Sequence, residues 1–493
     1  MNIFKRSAAR FASARHCFGA GGVATLIAAL IAIPAQAQTR SYDYNLLANH
    51  LKSWTLYKVT EFGFDFLDEC NTGNCFGTNP DSPYGVPVFG YLEDEPLIFR
   101  KLGSKDALVV IMQTPPEHRY FSMTPYIFTR KYTGPFPPIP DPNPYPVFES
   151  LGDSVNNRTI KTQPATKLTG TAPFNQVAVF IQGTDEKTIA DIKTRLAGKL
   201  FPRSSVNDMI PPVPTDKPKL RYTDTHPANP DTYTMLFRIA YPMAPGAEAY
   251  IENPPVRVFH VTVTTASDHS FVPVEPTPRR TPREEPPESA DEDLMEALDA
   301  LERKMLDDHA GTHTIALSPE VEMRGTPGTF PCTTAAWACN GDAPDTVYSK
   351  DVPEYTPINR RDRFIIVGVN HVKTGNATYV SHSVNRVSLN KGIVAASDAW
   401  FEEHDTACVV MAADCAEIHK KLYAVSFAYD CESDPICIQI PEGDLDNDGD
   451  EDGLPFGESL KIAGRNYLEA DRNTRPGLAL IAKPRVHVLT RNP

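Results

Sequence analysis

The sequence has no apolar run long enough to cross a bilayer: its longest, "GGVATLIAALIAI" from Gly21 to Ile33, falls short of the roughly twenty residues a spanning helix needs. It has no G-x-S-x-G elbow, no phosphate-cradling G-x-x-x-x-G-K-[ST], no H-E-x-x-H zinc helix, and no dinucleotide fingerprint beyond residue 37. Those absences exclude nucleotide-dependent enzymes and zinc proteases of the familiar kinds. No C-x-x-C occurs either, which removes the usual zinc and thioredoxin-like readings of its cysteines. Positive charge is in short supply. No internal repeat of fixed period is visible.

What is present begins with export. Lys5, Arg6, Arg10 and Arg15 precede the short apolar run, and "PAQAQ" follows it. That order is the pattern of a secretory signal peptide over 1–37, with cleavage expected after Ala37. The product is expected to be secreted or periplasmic, with no transmembrane anchor. Without residues 1–37 the chain carries 44 basic and 62 acidic residues, a balance of −18, which argues against nucleic acid and anionic lipid as partners. Proline, at 46 of 493 residues, is about twice its usual share of about 5%, so long helices are interrupted.

Cys17 lies in the signal. The other eight cysteines fall into four close pairs, Cys70/Cys75, Cys332/Cys339, Cys408/Cys415 and Cys431/Cys437. An even count in an exported chain points to disulfides, and local loop-closing bridges are the simplest connectivity.

Residues 38–272 form a succession of strand-like runs, among them "ALVVIMQT", "RYFSMTPYIFTRKY", "QVAVFIQG" and "PVRVFHVTVTT", divided by Pro, Gly, Asn and Asp. Two helices are expected there, over "DYNLLANHLKSWTLYK" and "DEKTIADIKTRLAGKL". Residues 273–293 are rich in proline and charge and read as a linker or exposed crossover. They lead into "SADEDLMEALDALERKMLDDHAG", where Ser289 and Glu292 match a capping box and Leu294, Leu298, Leu301 and Met305 line one helix face. The β-like pattern resumes in 294–493, with a further helix expected over "GESLKIAGRNYLEADR". The expected fold is β-rich α+β: two domains dominated by antiparallel sheet, sandwich-like, with several amphipathic helices.

Five stretches carry chemistry. "DLDNDGDEDG" places Asp444, Asp446, Asp448 and Asp450 at alternate positions around Gly449, with Asp452 beyond, as an EF-hand-type calcium loop begins. Pro455 stands where the closing bidentate glutamate belongs, leaving Asp452 or Glu458 to complete the shell. Crowded carboxylates repel unless a cation neutralises them, so the expectation is a structural Ca2+. "VFESLGDSVNN" holds Gly152, Asp153 and Ser154 directly after a strand-like run. That triplet resembles the nucleophile block of the secreted GDS-type esterases and lipases, and the resemblance implies Ser154 as a nucleophile served by a histidine base. The Asp-x-x-His pair of that family has no counterpart here, so His371 and His226 are the base candidates.

"FIIVGVNHVKTGNATYVSHSV" ends an apolar run in Asn370, His371 and Lys373. It also reads as a β-hairpin turning at 374–376, with His371 and His382 in its strands. Asp224, His226 and Asp231, and likewise Asp307, Asp308, His309 and His313, offer imidazole and carboxylate in metal-binding mixtures, although turn chemistry explains both groups. Two functions follow as expectations: an extracytoplasmic hydrolase of ester-type bonds acting through Ser154, or a non-catalytic, calcium-stabilised binding or surface-associated protein.

Overall fold

The computed structural model describes residues 41–493 apart from 68–74, 93–94, 134–141, 167–169, 198–199, 212–219, 243–244, 276–278, 326–330 and 444–452. The fold is β-rich, with one large curled antiparallel sheet and two further sheets. Among the described residues no helix is long and apolar enough to cross a membrane.

The large sheet belongs to the first half. Its strands run from the edge in the order Val206–Met209, Gln176–Gly183, Ala107–Gln113, Val256–Val263, Tyr57–Leu67, Tyr84–Val88, Tyr233–Pro242, His118–Arg130 and Tyr145–Ser150. The edge pair is parallel and is joined across the helix Glu186–Leu196, the crossover that parallel neighbours require. Alternation decides what each face buries. Ala107, Val109 and Ile111 pack with Leu47, Leu51, Ile189 and Ile192 of two helices, whereas Leu108, Val110 and Met112 meet Phe121, Phe180 and Phe237 on the other face. Burial on both faces is why these strands read as nearly continuous apolar runs.

The first helix, Tyr44–Lys52, is capped by the Asp43 carboxylate, which accepts from Asn45 N and Leu46 N. It is shorter than its periodicity predicts, because Tyr57 and Val59 are drawn into the sheet opposite Val263 and Val261.

The second half stacks two five-stranded sheets. One contains Arg363–Val369 flanked by Leu422–Ala428 and Arg485–Arg491; the other contains Leu460–Tyr467 flanked by Thr346–Tyr355 and Tyr379–Arg386. Phe364, Ile366, Val425 and Val488 from the first meet Val352, Val384, Leu460 and Ile462 from the second. The helix Glu292–His309 covers the outer face of the first sheet, placing Leu294, Leu298, Leu301 and Met305 against Ile365 and Val367. That face is as its spacing predicts. The cap is not: Asp291, rather than Ser289, accepts from Leu294 N at 3.1 Å.

Two other expectations are corrected. The segment expected as a helix over "GESLKIAGRNYLEADR" is a central strand, Leu460–Tyr467, paired on both sides; ladders of hydrogen bonds on either side override the helix propensity of Leu, Lys, Ala and Arg. Residues 371–382 are not a hairpin. The strands Arg363–Val369 and Tyr379–Arg386 lie in different sheets, so His371 sits in the buried connection between layers and only His382 lies in a strand.

A polar seam joins the halves. Tyr120 stacks on Tyr467 with centroids 4.7 Å apart, Ser150 donates to Asp342 at 2.7 Å through its hydroxyl, and Asn156 and Tyr120 both donate to Asp345 at 3.0 Å. The proline- and charge-rich segment lies along this seam as a strap. Arg279 donates to Ser150 O, Arg280 binds Asp153, and Arg283 reaches Asn376 and Glu469. Glu288 takes donors from His371, Thr374, Asn376 and Ala482 N. Alternating charges therefore replace apolar side chains as the means of holding the strap.

Candidate functional site

A cleft of about 160 Å³ opens where the strap crosses the first half. The strand Tyr145–Ser150 delivers Gly152, Asp153 and Ser154 to its wall, and Val155 and Asn156 then pair back onto Met123 and Ser122. Pro125, Thr159, Lys161, Asn207, Asp208, Met209 and Ile210 line it as well, with Arg280 of the strap.

Charge in the cleft is balanced and partly committed. Asp153 accepts from Arg280 N at 2.6 Å and Arg280 Nε at 2.9 Å, while Arg280 Nη2 donates to Ser154 O at 2.7 Å. Burial raises the Asp153 carboxyl, and the Arg280 charge offsets part of that. Behind it Asp345 is fully buried; desolvation pushes it up to about 6, against the pull of Arg280 and the Asn156 hydrogen bond. Asp208 accepts from Lys193 through Oδ2 at 2.5 Å, and its Oδ1 has no hydrogen-bond partner among the described residues. Asn207 is spent on backbone, bonding Lys161 N and O and Val179 O. Lys161 remains exposed at the rim.

Ser154 is in this cleft, but its side chain is 2% exposed and its hydroxyl lies 2.7 Å from Thr124 Oγ1. Neither base candidate lines the cleft. His371 is held by Glu288, 2.8 Å from Nδ1. His226 is on an exposed turn with Nδ1 3.0 Å from Thr225 Oγ1. The three residues named from sequence are thus placed in three separate environments. A serine acts as a nucleophile when a base lies within hydrogen-bond reach, and here the reach is filled by a threonine.

Asp224, Asp231 and His313 have structural partners. Asp224 accepts from Ser104 N and Oγ, and Asp231 forms a buried two-point pair with Arg130. His313 bonds Arg361 O at 2.9 Å. Asp444, Asp446, Asp448, Asp450 and Asp452 lie outside the described residues. The neck of their loop is described: Gly453 N donates to Gly443 O at 2.8 Å, Leu454 N donates to Pro441 O at 2.9 Å, and Arg360 pairs with Glu442. Glu458 is engaged by Arg386 in a two-point pair.

Sequence reasoning missed Arg280, Lys161, Asp208 and Thr124. Only Arg280 left a signal, since a solvated linker has no need of interleaved Arg and Glu among its prolines.

Among the cysteines, Cys332–Cys339, Cys408–Cys415 and Cys431–Cys437 form disulfides, as their spacing predicts. Cys70 lies outside the described residues.

No family model matches the chain, and no curated protein matches it. Two solved structures resemble it over most of its length. A putative uncharacterized protein from Burkholderia cenocepacia aligns at 9% identity with a TM-score of 0.38, covering 91% of this chain and 87% of that one. A protein from Vibrio parahaemolyticus aligns at 10% identity with a TM-score of 0.35, covering 91% of this chain and 97% of that one.

Proposed function

We propose that this chain is a non-catalytic, extracytoplasmic binding or surface-associated protein whose cleft beside Ser154 receives a small polar ligand. The observation that carries this reading is the placement of Ser154. Its hydroxyl is buried against Thr124, and no histidine is among the described residues lining its cleft, while Lys161, Asp208 and Arg280 give that cleft charges of both signs.

Export and bracing belong to the same reading. The signal-like residues 1–37 lie outside the described residues, and the disulfides favour an oxidising compartment. A calcium ion held by Asp444, Asp446, Asp448, Asp450 and Asp452 would brace the second half; the closed neck at Gly443 and Gly453 supports a loop that leaves and returns at one point.

The test is a thermal-shift screen of small polar metabolites, including zwitterions, with Lys161→Ala and Arg280→Ala as controls, beside an ester panel with a Ser154→Ala control. A ligand whose stabilisation disappears in Lys161→Ala supports the proposal. Ester turnover abolished by Ser154→Ala overturns it in favour of the hydrolase.

A further inference from the structure

The disulfide Cys431–Cys437 closes the turn between the strands Leu422–Ala428 and Cys437–Gln439, which run parallel in one sheet. Arg363 begins the adjoining strand and is 2% exposed. Its Nη1 lies 2.8 Å from Cys437 Sγ and its Nη2 donates to Cys431 O at 3.0 Å, while its Nε has no hydrogen-bond partner among the described residues. Carboxylates nearby are engaged elsewhere. Glu432 lies 2.9 Å from Arg361 but 3.8 Å from Arg363, and Asp434 accepts from Ser426 and from Ile436 N. Arg363 is therefore a buried cation whose Nη1 faces sulfur, with one backbone acceptor and a carboxylate at 3.8 Å as its other partners.

A bridged sulfur is a weak acceptor, and a thiolate is a strong one. An arginine in contact lowers the pKa of the thiol that would form, and a disulfide breaks fastest toward the sulfur whose thiol has the lower pKa. The other described bridges have no such neighbour. Cys408 and Cys415 are half-buried, as Cys431 and Cys437 are, yet Cys415 Sγ reaches only Ala416 O, at 3.8 Å. Cys332 is buried, on the short helix Pro331–Ala335 tied down by the Thr333 to Glu149 hydrogen bonds.

We propose that Cys431–Cys437 is a thiol–disulfide exchange site for a dithiol reductant, with Cys437 as the leaving sulfur and Arg363 as the residue that positions and stabilises it. The reductant's thiolate attacks Cys431 Sγ, the S–S bond breaks, and its electron pair passes to Cys437, whose thiolate receives the Arg363 hydrogen bond. The reductant's second thiolate then attacks the mixed disulfide and releases the Cys431 thiolate. Two electrons have then entered the protein, the Cys431 thiolate takes a proton from solvent while the Cys437 thiolate stays on Arg363, and the reductant leaves as its disulfide.

The test uses the whole exported chain under limiting dithiothreitol, with alkylation and peptide mapping at intervals. Cys431–Cys437 should open at least about tenfold faster than Cys408–Cys415. Arg363→Gln should remove that advantage without changing the Cys408–Cys415 rate. Equal rates in the unsubstituted protein, or an advantage retained in Arg363→Gln, overturn the proposal. Because Arg363 is buried, a second measurement stays with the unsubstituted protein: glutathione trapped during reduction should be attached to Cys431, and predominant attachment to Cys437 contradicts the assignment.

Discussion

Glu288 Oε2 of the strap lies 2.8 Å from His371 Nδ1, so a residue from the segment read as a linker is buried against one read as a catalytic base. Thr374, Asn376 and Ala482 N donate to the same carboxylate. Desolvation would raise Glu288, yet the His371 charge and these hydrogen bonds hold it down at about 2. Removing one member leaves the other buried without its partner, which costs about 3–5 kcal/mol. Glu288→Ala should therefore lose roughly 3 kcal/mol or more in urea denaturation. It should also expose the strap to protease. A change below about 1 kcal/mol, the scale of a surface pair, would contradict that role.

The seam predicts a pH dependence of definite sign. Burial pushes Asp345, and Asp398 which lies 3.5 Å from Arg119 across the seam, up to about 6, each only partly offset by arginine and by hydrogen bonds. Their folded pKa values exceed the unfolded value of 3.8, so the stability they contribute is present below that value and lost as pH rises through about 6. Each contributes about 3 kcal/mol to that loss. Asp345→Asn should raise the melting temperature at pH 7.5 and leave it nearly unchanged at pH 4. Equal effects at both pH values would show that the carboxyl is not desolvated as described.

Two glycines make room for a buried chain of hydrogen bonds between the second-half sheets. Asp351 Oδ2 lies 2.6 Å from His382 Nδ1, and His382 Nε2 lies 2.5 Å from Tyr423 OH. A Cβ at Gly464 would stand 3.0 Å from both Asp351 and His382 and closer still to Ser349 Oγ; one at Gly368 would press on the Tyr423 hydroxyl. Overpacking of this kind costs about 1–3 kcal/mol. Gly464→Ala and Gly368→Ala should each lose about that much in chemical denaturation, whereas Gly375→Ala, with nothing within 4 Å but a positive φ, tests backbone strain alone.

How far the sequence foretold this arrangement depended on whether the signal was local. Leu294, Leu298, Leu301 and Met305 declare their helix because its period is written in consecutive turns. Three cysteine pairs, Cys332–Cys339, Cys408–Cys415 and Cys431–Cys437, likewise declare themselves by closeness. "LKIAGRNY" did not, since its strand identity comes from partners more than 70 residues away at Tyr379–Arg386 and more than 100 away at Thr346–Tyr355. His371 and His382 looked like facing strand positions because nothing local reveals that the chain changes sheets between them. The Gly152 to Ser154 triplet did mark the cleft wall, but Arg280 approaches it from more than 120 residues away, and its contacts were invisible in a proline-rich run.

The acidic loop gives a separate prediction. If Asp444, Asp446, Asp448, Asp450 and Asp452 hold calcium, the ion at a hundredfold excess over its Kd should stabilise the fold by about 2.7 kcal/mol. Chelation should reverse this. Calorimetry of the chelated protein should show one site, abolished by Asp446→Asn with Asp448→Asn. A melting temperature indifferent to both calcium and chelator would leave the loop without a structural ion.

The central claim is that Ser154 lines a binding cleft rather than serving as a nucleophile. Its most direct test is treatment of the folded protein with a fluorophosphonate probe, which modifies activated serines, followed by peptide mapping across residues 145–161. The account predicts an unmodified Ser154. A covalent adduct on Ser154 that is lost when the protein is first denatured would contradict it.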